Sequence, residues 1–553
     1  MASGPVVGAA PVAPMRWWGW GDPARPPGLP EHALRFLRDT VGVAPRPLPP
    51  VALGAVRLDP PGLPASALAE LRALLGDGAV RDSHAARVEH AAGRGYPDLV
   101  RLRAGTPKGA PDAVVYPADG RQLRALLELC SRRSIALVPF GGGTSVVGGV
   151  APLRGGHNGV LSLDMRRLNA LLELDRESRI ATVQAGMRAP ALERLLGAQG
   201  LTLGHFPQSY EHVSLGGCAA TRSAGQASTG YGRFEQLVLG LRLVAPTGDL
   251  DLPALPASAA GPQLRELVLG SEGTLGVIHE LALRVRPAPA GRRYEGVFFT
   301  DFASGGEALR ALAQARLAPA VTRLSDEPET RMSLALAGSG GVKGRLGRAY
   351  LGARGYAGGC LAILGFEGGE HDIARSRPRV LEVVRAHGGL PVGRSPGEAW
   401  RAGRFAAPYL RDDLLTHGVL VETLETATRW SRLGELHREL GRAISTALAG
   451  QGTPGLVMCH ISHLYETGAS LYFTFLARQR EGHELEQWNV VKRAAGDAIA
   501  AHGATITHHH AIGCAHTPWL EHEIGETGLQ ALRALKAELD PTGIMNPGKL
   551  LPS

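Results

Sequence analysis

The sequence predicts an α+β fold of two main subdomains behind a helical N-terminal region. Three observations carry this reading. At 553 residues the chain exceeds one ordinary core and calls for two or three domains. A strand–helix–strand pattern over 112–140 runs straight into a glycine-rich loop, PFGGGTSVVGG (139–149). Beyond residue 291, short apolar runs alternate with long amphipathic helices.

Taken in order, residues 1–14 read as a disordered lead-in without the basic start and apolar core of a signal peptide. Residues 15–105 open on Trp17, Trp18 and Trp20, cross a Pro-rich linker (Pro45, Pro47, Pro49, Pro50) and continue into a helix around 65–75. From 106 to 290 the pattern is AVVYP, a helix from Asp119 to about Arg133, then IALVPF. Asp119 is placed to cap that helix, and Leu123, Leu126, Leu127 and Cys130 form its buried stripe. Strands follow at 160–165 and 180–186, then a helix punctuated by Pro190 and Gly200, then strands near 237–248 and 276–287. The second α+β region spans 291–505, with a mobile glycine-rich loop expected at 338–347 and helices at 430–448 and 484–501. The C-terminal segment, 506–553, carries THHHAIG and a helix at 526–539 stopped by Asp540-Pro541.

Composition narrows the function classes. The net charge of +8 comes from scattered arginines with no basic run, so a nucleic-acid module is not expected. Five cysteines, never spaced C-x-x-C, argue against a disulfide framework or zinc ribbon and fit a reducing cytosol. No run of 18 apolar residues suggests a membrane-spanning helix, and the terminal Leu-Pro-Ser is not a peroxisomal Ser-Lys-Leu. A cytoplasmic protein is expected.

Successive glycines at 141–143 let the backbone turn its N–H groups toward an anion. No Lys follows as in a triphosphatase loop, and no G-x-G-x-x-G opens a helix. Alone, such a loop is equally a structural turn. Two further segments follow it, HFPQSYEHVSLGGCAATRSAGQASTGYGR (205–233) and GSEGTLGVI (270–278). Together the three resemble the vanillyl-alcohol oxidase and p-cresol methylhydroxylase superfamily of flavoproteins, implying its two-subdomain FAD-binding fold with an α+β cap that holds substrate. The resemblance assigns FAD contacts to Pro139, Phe140, Gly141, Gly142, Gly143, Thr144 and Ser145, and to Gln208, Ser209 and Ser214. It extends them to Thr221, Arg222, Ser223 and Ala224, and to Glu272, Gly273, Thr274, Leu275, Gly276, Val277 and Ile278. Covalent members often carry a His in the phosphate loop where this chain has Thr144, so noncovalent FAD is expected.

MRWWGWGDP (15–23), RLSDEP (323–328), YLRDDLL (409–415), ETLETATRW (422–430), SLYFTF (470–475) and THHHAIG (507–513) narrow the resemblance. The chain resembles the alkyl-dihydroxyacetone-phosphate synthase family from Met15 almost to its end, departing at Ser214, where animal members carry Thr. The resemblance implies a redox-neutral exchange through an adduct at flavin N5, in which a long-chain fatty alcohol replaces the acyl group of acyl-dihydroxyacetone phosphate. It also implies a homodimer, and a long chain calls for an apolar tunnel and peripheral contact with a membrane.

Arg411 matches the family's phosphate-binding Arg, and a guanidinium suits bidentate phosphate recognition; read alone, it pairs equally well with its neighbouring acids. Arg323 and His205 match two further substrate-site residues, and Tyr472 the catalytic Tyr. In LYFTF, strand alternation sets Tyr472 and Thr474 opposite Leu471, Phe473 and Phe475. For His508, His509 and His510 a metal site has no support from a carboxylate, Cys or distant His spacing, so no metal is expected. The tract also reads as a cluster without a role. The favoured reading is proton handling by neutral imidazoles at His509 and His510, with His508 positioning them. On a strand, His508 and His510 would share one face and His509 the other. The alternative function is an FAD-linked oxidoreductase of a D-2-hydroxy acid, whose members end in a Glu-His-Gly type motif instead of His-His-Ala-Ile-Gly.

Overall fold

A computed structural model describes residues 7–8, 15–24, 28–337 and 342–551. A four-stranded sheet holds Ala113–Val115, Gly159–Asp164 and Ile135–Phe140 in parallel, with Val80–Arg81 antiparallel at the edge. The helix Gly120–Arg133 crosses over between two of these strands, its N-terminus capped by Asp119, which accepts from the Gln122 amide. Leu123, Leu126, Leu127 and Cys130 are fully buried against the sheet, as the sequence pattern predicted. A six-stranded sheet follows, in which Ala170–Asp175, Ile180–Gln184, Val277–Arg284 and Val238–Ala245 pair antiparallel.

Seven antiparallel strands form the second large sheet. Its end strands Leu456–Ile461, Gly468–Arg478 and Val419–Arg429 position the site. Their registers place His460 beside Tyr472 and Tyr472 beside Glu425, with Met458, Thr474 and Thr423 in the next row toward the other end. One face therefore runs from polar groups (His460, Tyr472, Glu425) to apolar ones (Met458, Leu476, Val421). Leu471, Phe473 and Phe475 point the other way, into the core under the helix Trp430–Gly450. Alternation at period two explains both faces.

Several expectations needed correction. Within the expected disordered lead-in, Val7–Gly8 pairs with Leu171 and Ala170, and the rest of 1–14 lies outside the described residues. The expected mobile loop at 338–347 is helical from Val342 onward, while 338–341 lie outside the described residues. The expected C-terminal helix at 526–539 is present and ends at Leu539, just before Asp540; a further helical stretch from Thr517 precedes it, separated by Gly525 at φ 72°. All five cysteines are unpaired. Among the described residues no helix is long and apolar enough to cross a membrane.

Candidate active site

One cavity of about 1010 Å³ runs between the glycine loop and the seven-stranded sheet. Pro139 to Ser145 leave the end of a parallel strand and line it. The loop requires its glycines: a Cβ on Gly141 would collide with Ser214 Oγ, one on Gly142 with the His212 carbonyl, and Gly143 sits at φ 67°. Gln208, Ser209, Ser214, Thr221, Ser223, Ala224, Glu272, Gly273, Gly276, Val277 and Ile278 complete this wall. Three members of the expected set do not line it. Arg222 turns away to an ion pair with Glu266 at 2.8 Å, Thr274 donates its hydroxyl to the Ser271 carbonyl at 2.7 Å, and Leu275 is buried in the core. A glycine-rich loop beside a deep cleft fits the pyrophosphate and ring system of FAD.

Opposite the loop, Arg323, Arg411, Tyr472, His509 and His510 all reach the same cavity. Tyr472 is stacked on His460 (centroids 4.7 Å apart, 18° between planes), and burial pushes its phenol up to about 12. It is therefore a hydrogen-bond donor at neutral pH. Arg411 does not pair with its sequence neighbours. Its Nη2 lies 3.5 Å from Glu422 Oε1 and 3.3 Å from Thr423 Oγ1, while Asp412 accepts from the Trp20 and Gly21 amides and from Arg16. That is the work of the N-terminal motif: it wraps the buried Asp412 and fixes the helix Ala407–Thr416 that presents Arg411. Arg323 donates to Glu329 and His460, each at 2.9 Å.

His205 does not reach the cavity. It is fully buried against Phe234, with Nε2 on Ser223 Oγ at 3.2 Å, and burial drops its imidazole to about 3. His508 also lies behind the cavity wall. The predicted strand is absent here: residues 507–513 make a turn held by two buried carboxylates. Glu425 Oε1 accepts from the His509 amide (2.7 Å), the His510 amide (2.6 Å) and Thr507 Oγ1 (2.9 Å). Glu272 accepts from the Ile512 and Gly513 amides, each at 2.8 Å, with Ala511 at φ 72° between the two anchors. The turn brings His509 and His510 to the cavity together, which strand alternation forbids.

Charges follow from burial. It pushes the Glu425 carboxyl up, but His510, His509 and the His509 amide outweigh it and hold the group down at about 2. Burial likewise drops His509 to about 3 and lowers His510 and His508, so all three imidazoles are neutral at pH 7 beside an ionised Glu425. Glu425 Oε1 lies 3.8 Å from His509 Nδ1 and 3.7 Å from His510 Nδ1. Sequence spacing offered no carboxylate or distant His for a metal, yet the fold brings ligand atoms of Glu425, His509 and His510, and of His463, His508 and His509, within 4.8 Å. Protein hydrogen bonds already engage these groups, including His508 Nδ1 to His509 Nδ1 at 2.9 Å and His463 Nδ1 to Ser228 Oγ at 2.6 Å. Lys549 donates to the carbonyls of Ala151 and Pro547.

Glu425, His460 and Glu329 escaped the sequence reading. The available signal was two glutamates, Glu422 and Glu425, inside the β-prone run VLVETLETA. Buried carboxylates in a strand need partners, and those partners mark the site.

The chain matches the family described as FAD binding domain over residues 111–251, and FAD linked oxidases, C-terminal domain, over 288–550. It is 33% identical to an alkyldihydroxyacetonephosphate synthase of Dictyostelium discoideum (91% of this chain, 84% of that one). It is also 33% identical to one of Trypanosoma brucei brucei (98% and 92%). A glycolate oxidase subunit of Bacillus subtilis is 25% identical over 80% of this chain and 89% of that one. A solved alkyldihydroxyacetonephosphate synthase superposes with a TM-score of 0.83 at 30% identity (96% of this chain, 97% of that one). p-Cresol methylhydroxylase, at 16% identity and TM-score 0.66 (89% and 98%), shares the fold.

Proposed function

The chain belongs to the alkyldihydroxyacetonephosphate synthase family, and from that premise we propose that it exchanges the acyl chain of acyl-dihydroxyacetone phosphate for a long-chain alcohol at a noncovalent FAD. The observation that carries the reading is the continuity of the cavity. Beyond the polar cluster its wall turns apolar, through Met458, Leu476 and Val421 on the sheet, Met332 and Leu336, and Leu29 and Ala33. A small hydroxy acid has no use for such a sleeve; an alkyl chain does.

Arg411 is the phosphate clamp, since it lines the cavity and its contacts to Glu422 (3.5 Å), Thr423 (3.3 Å) and the Arg94 carbonyl (3.4 Å) are all long, so a phosphate can compete for the guanidinium. FAD, when bound, supplies the electron sink at the reacting carbon. Tyr472 donates to the substrate oxygen, and neutral His509 and His510 take protons from carbon and from the incoming alcohol, with Glu425 as counter-charge to the imidazolium.

The sleeve also suggests where the alcohol enters. Leu336 and Ala337 end one helix at the cavity, and the next helix, Val342–Ala353, exposes Leu346 (65%) and Tyr350 (48%) beside Arg345 and Arg354. Apolar side chains flanked by arginines suit an anionic lipid surface. The Trp cluster is not that surface: Trp20 is buried, and Trp18 lies under Arg16 and Arg103. Sedimentation with anionic vesicles, lost in a Leu346→Asp/Tyr350→Asp variant, is expected; equal sedimentation of both proteins would remove this face from the proposal.

The function is tested by incubating the purified protein with palmitoyl-dihydroxyacetone phosphate and hexadecanol without an electron acceptor. Alkyl product is expected. Flavin bleaching by D-2-hydroxy acids with no exchange product would replace the reading with the oxidoreductase.

A further inference from the structure

We infer that Tyr465 and His508 form a proton outlet from the active site, a hydrogen-bonded relay from His509 to the surface. The inference rests on the exchange reaction proposed above. In that reaction the alcohol oxygen bonds to carbon while the carbon–oxygen bond to the acyl group breaks, its electron pair leaving on the fatty carboxylate. The alcohol proton remains. A carboxylate does not hold it at neutral pH, so each turnover sets one proton free inside the cavity.

The geometry supplies its route. His509 lines the cavity and spends Nδ1 on His508 Nδ1 at 2.9 Å, which leaves Nε2 for the substrate side. His508 lies behind the wall, buried, stacked on His463 at 4.7 Å, and its Nε2 meets the Tyr465 hydroxyl at 2.5 Å. Tyr465 is half-buried and stands next to the exposed Glu466 and Thr467. Two imidazoles and one phenol thus link the cavity to Tyr465, a residue partly open to solvent. The chain works by tautomer exchange: His509 accepts at Nε2 and releases its Nδ1 proton to His508, which hands its Nε2 proton to the Tyr465 oxygen as the phenol proton passes to solvent water.

The surroundings suit passage rather than storage. Glu425 faces His509, Arg233 donates to the His508 carbonyl at 2.9 Å and is paired with Glu235, and Lys492 lies on the His510 side. Arg233 stands at the His508 end, where a resident imidazolium would be disfavoured. Tyr465 is accordingly a positioning and relay residue, and touches no substrate.

Tyr465→Phe keeps the ring and removes the relay hydroxyl. The expected result is intact FAD content and KM, with kcat in weak buffer reduced at least about tenfold. Added imidazole at constant pH should restore kcat progressively, because a small diffusible base replaces the missing link. A kcat within twofold of the parent, or a loss that imidazole does not repair, would overturn the relay. If the variant lacks FAD, single-turnover exchange by the parent protein in H₂O/D₂O mixtures decides. A curved dependence on deuterium content is expected of several protons moving together, and a linear or absent dependence overturns it. Failure of the underlying function looks different: the parent protein would then form no alkyl product at all.

Discussion

Replacing Glu425 by Gln removes one charge and little else. The Gln carbonyl oxygen still accepts from the amides of His509 and His510, so the turn and the FAD site should persist. What is lost is the negative charge 3.7–3.8 Å from the two imidazole Nδ1 atoms. At an effective dielectric near 20, a unit charge pair at this distance is worth about 4 kcal/mol. The amide dipole recovers part of it, leaving a net loss of roughly 2–3 kcal/mol for the imidazolium formed when His509 or His510 takes a proton. That corresponds to roughly 30- to 150-fold in kcat. The assay is steady-state exchange of palmitoyl-dihydroxyacetone phosphate with hexadecanol, together with flavin absorbance and thermal melting. A Glu425→Gln protein that keeps its FAD and works within threefold of the parent would refute the counter-charge argument. Loss of FAD would show that the carboxylate's role is structural.

Three other outcomes are expected. Gly142→Ala drives a methyl into the His212 carbonyl and should yield protein without flavin, read from absorbance after purification. In the apolar sleeve each alcohol methylene is worth about 0.8 kcal/mol, so kcat/KM should fall roughly fourfold per carbon removed; Ala33→Phe, which fills the sleeve wall, should penalise long alcohols and spare short ones. Acid should unfold the protein early. Burial holds His205 and His516 at about 3 against the ordinary 6.5, so the unfolded chain binds more protons between these values and stability declines as pH falls below 6.5. At pH 5 the two together cost about 4 kcal/mol. Denaturant midpoints that do not change between pH 7 and 5 would contradict this.

Local rules made much of the molecule legible. Asp119 announced its helix, and period-two alternation put Tyr472 and Thr474 on the cavity face because both are decided within a few residues. The glycine loop was readable for the same reason: each glycine answers a steric demand of the backbone. The His tract was legible as a site and misread as a shape. Its turn exists because Glu425, 84 and 85 residues away, accepts the His509 and His510 amides, and Glu272, still farther off, takes the next pair. His205 illustrates the reverse error. It sits in a cofactor-binding segment, but Phe234 and Ser223 draw it into the core, and spacing carries no trace of that. Arg411 looked like half of an Arg-Asp pair until Asp412 proved to be occupied by a motif nearly 400 residues upstream.

The central claim is a redox-neutral exchange in one cavity, and stoichiometry under anaerobic conditions tests it most directly. With acyl-dihydroxyacetone phosphate and hexadecanol, one fatty acid should appear per alkyl product, over many turnovers, with the flavin spectrum oxidised at the end. Fatty acid without alkyl product, or flavin left reduced after one equivalent, would contradict the account.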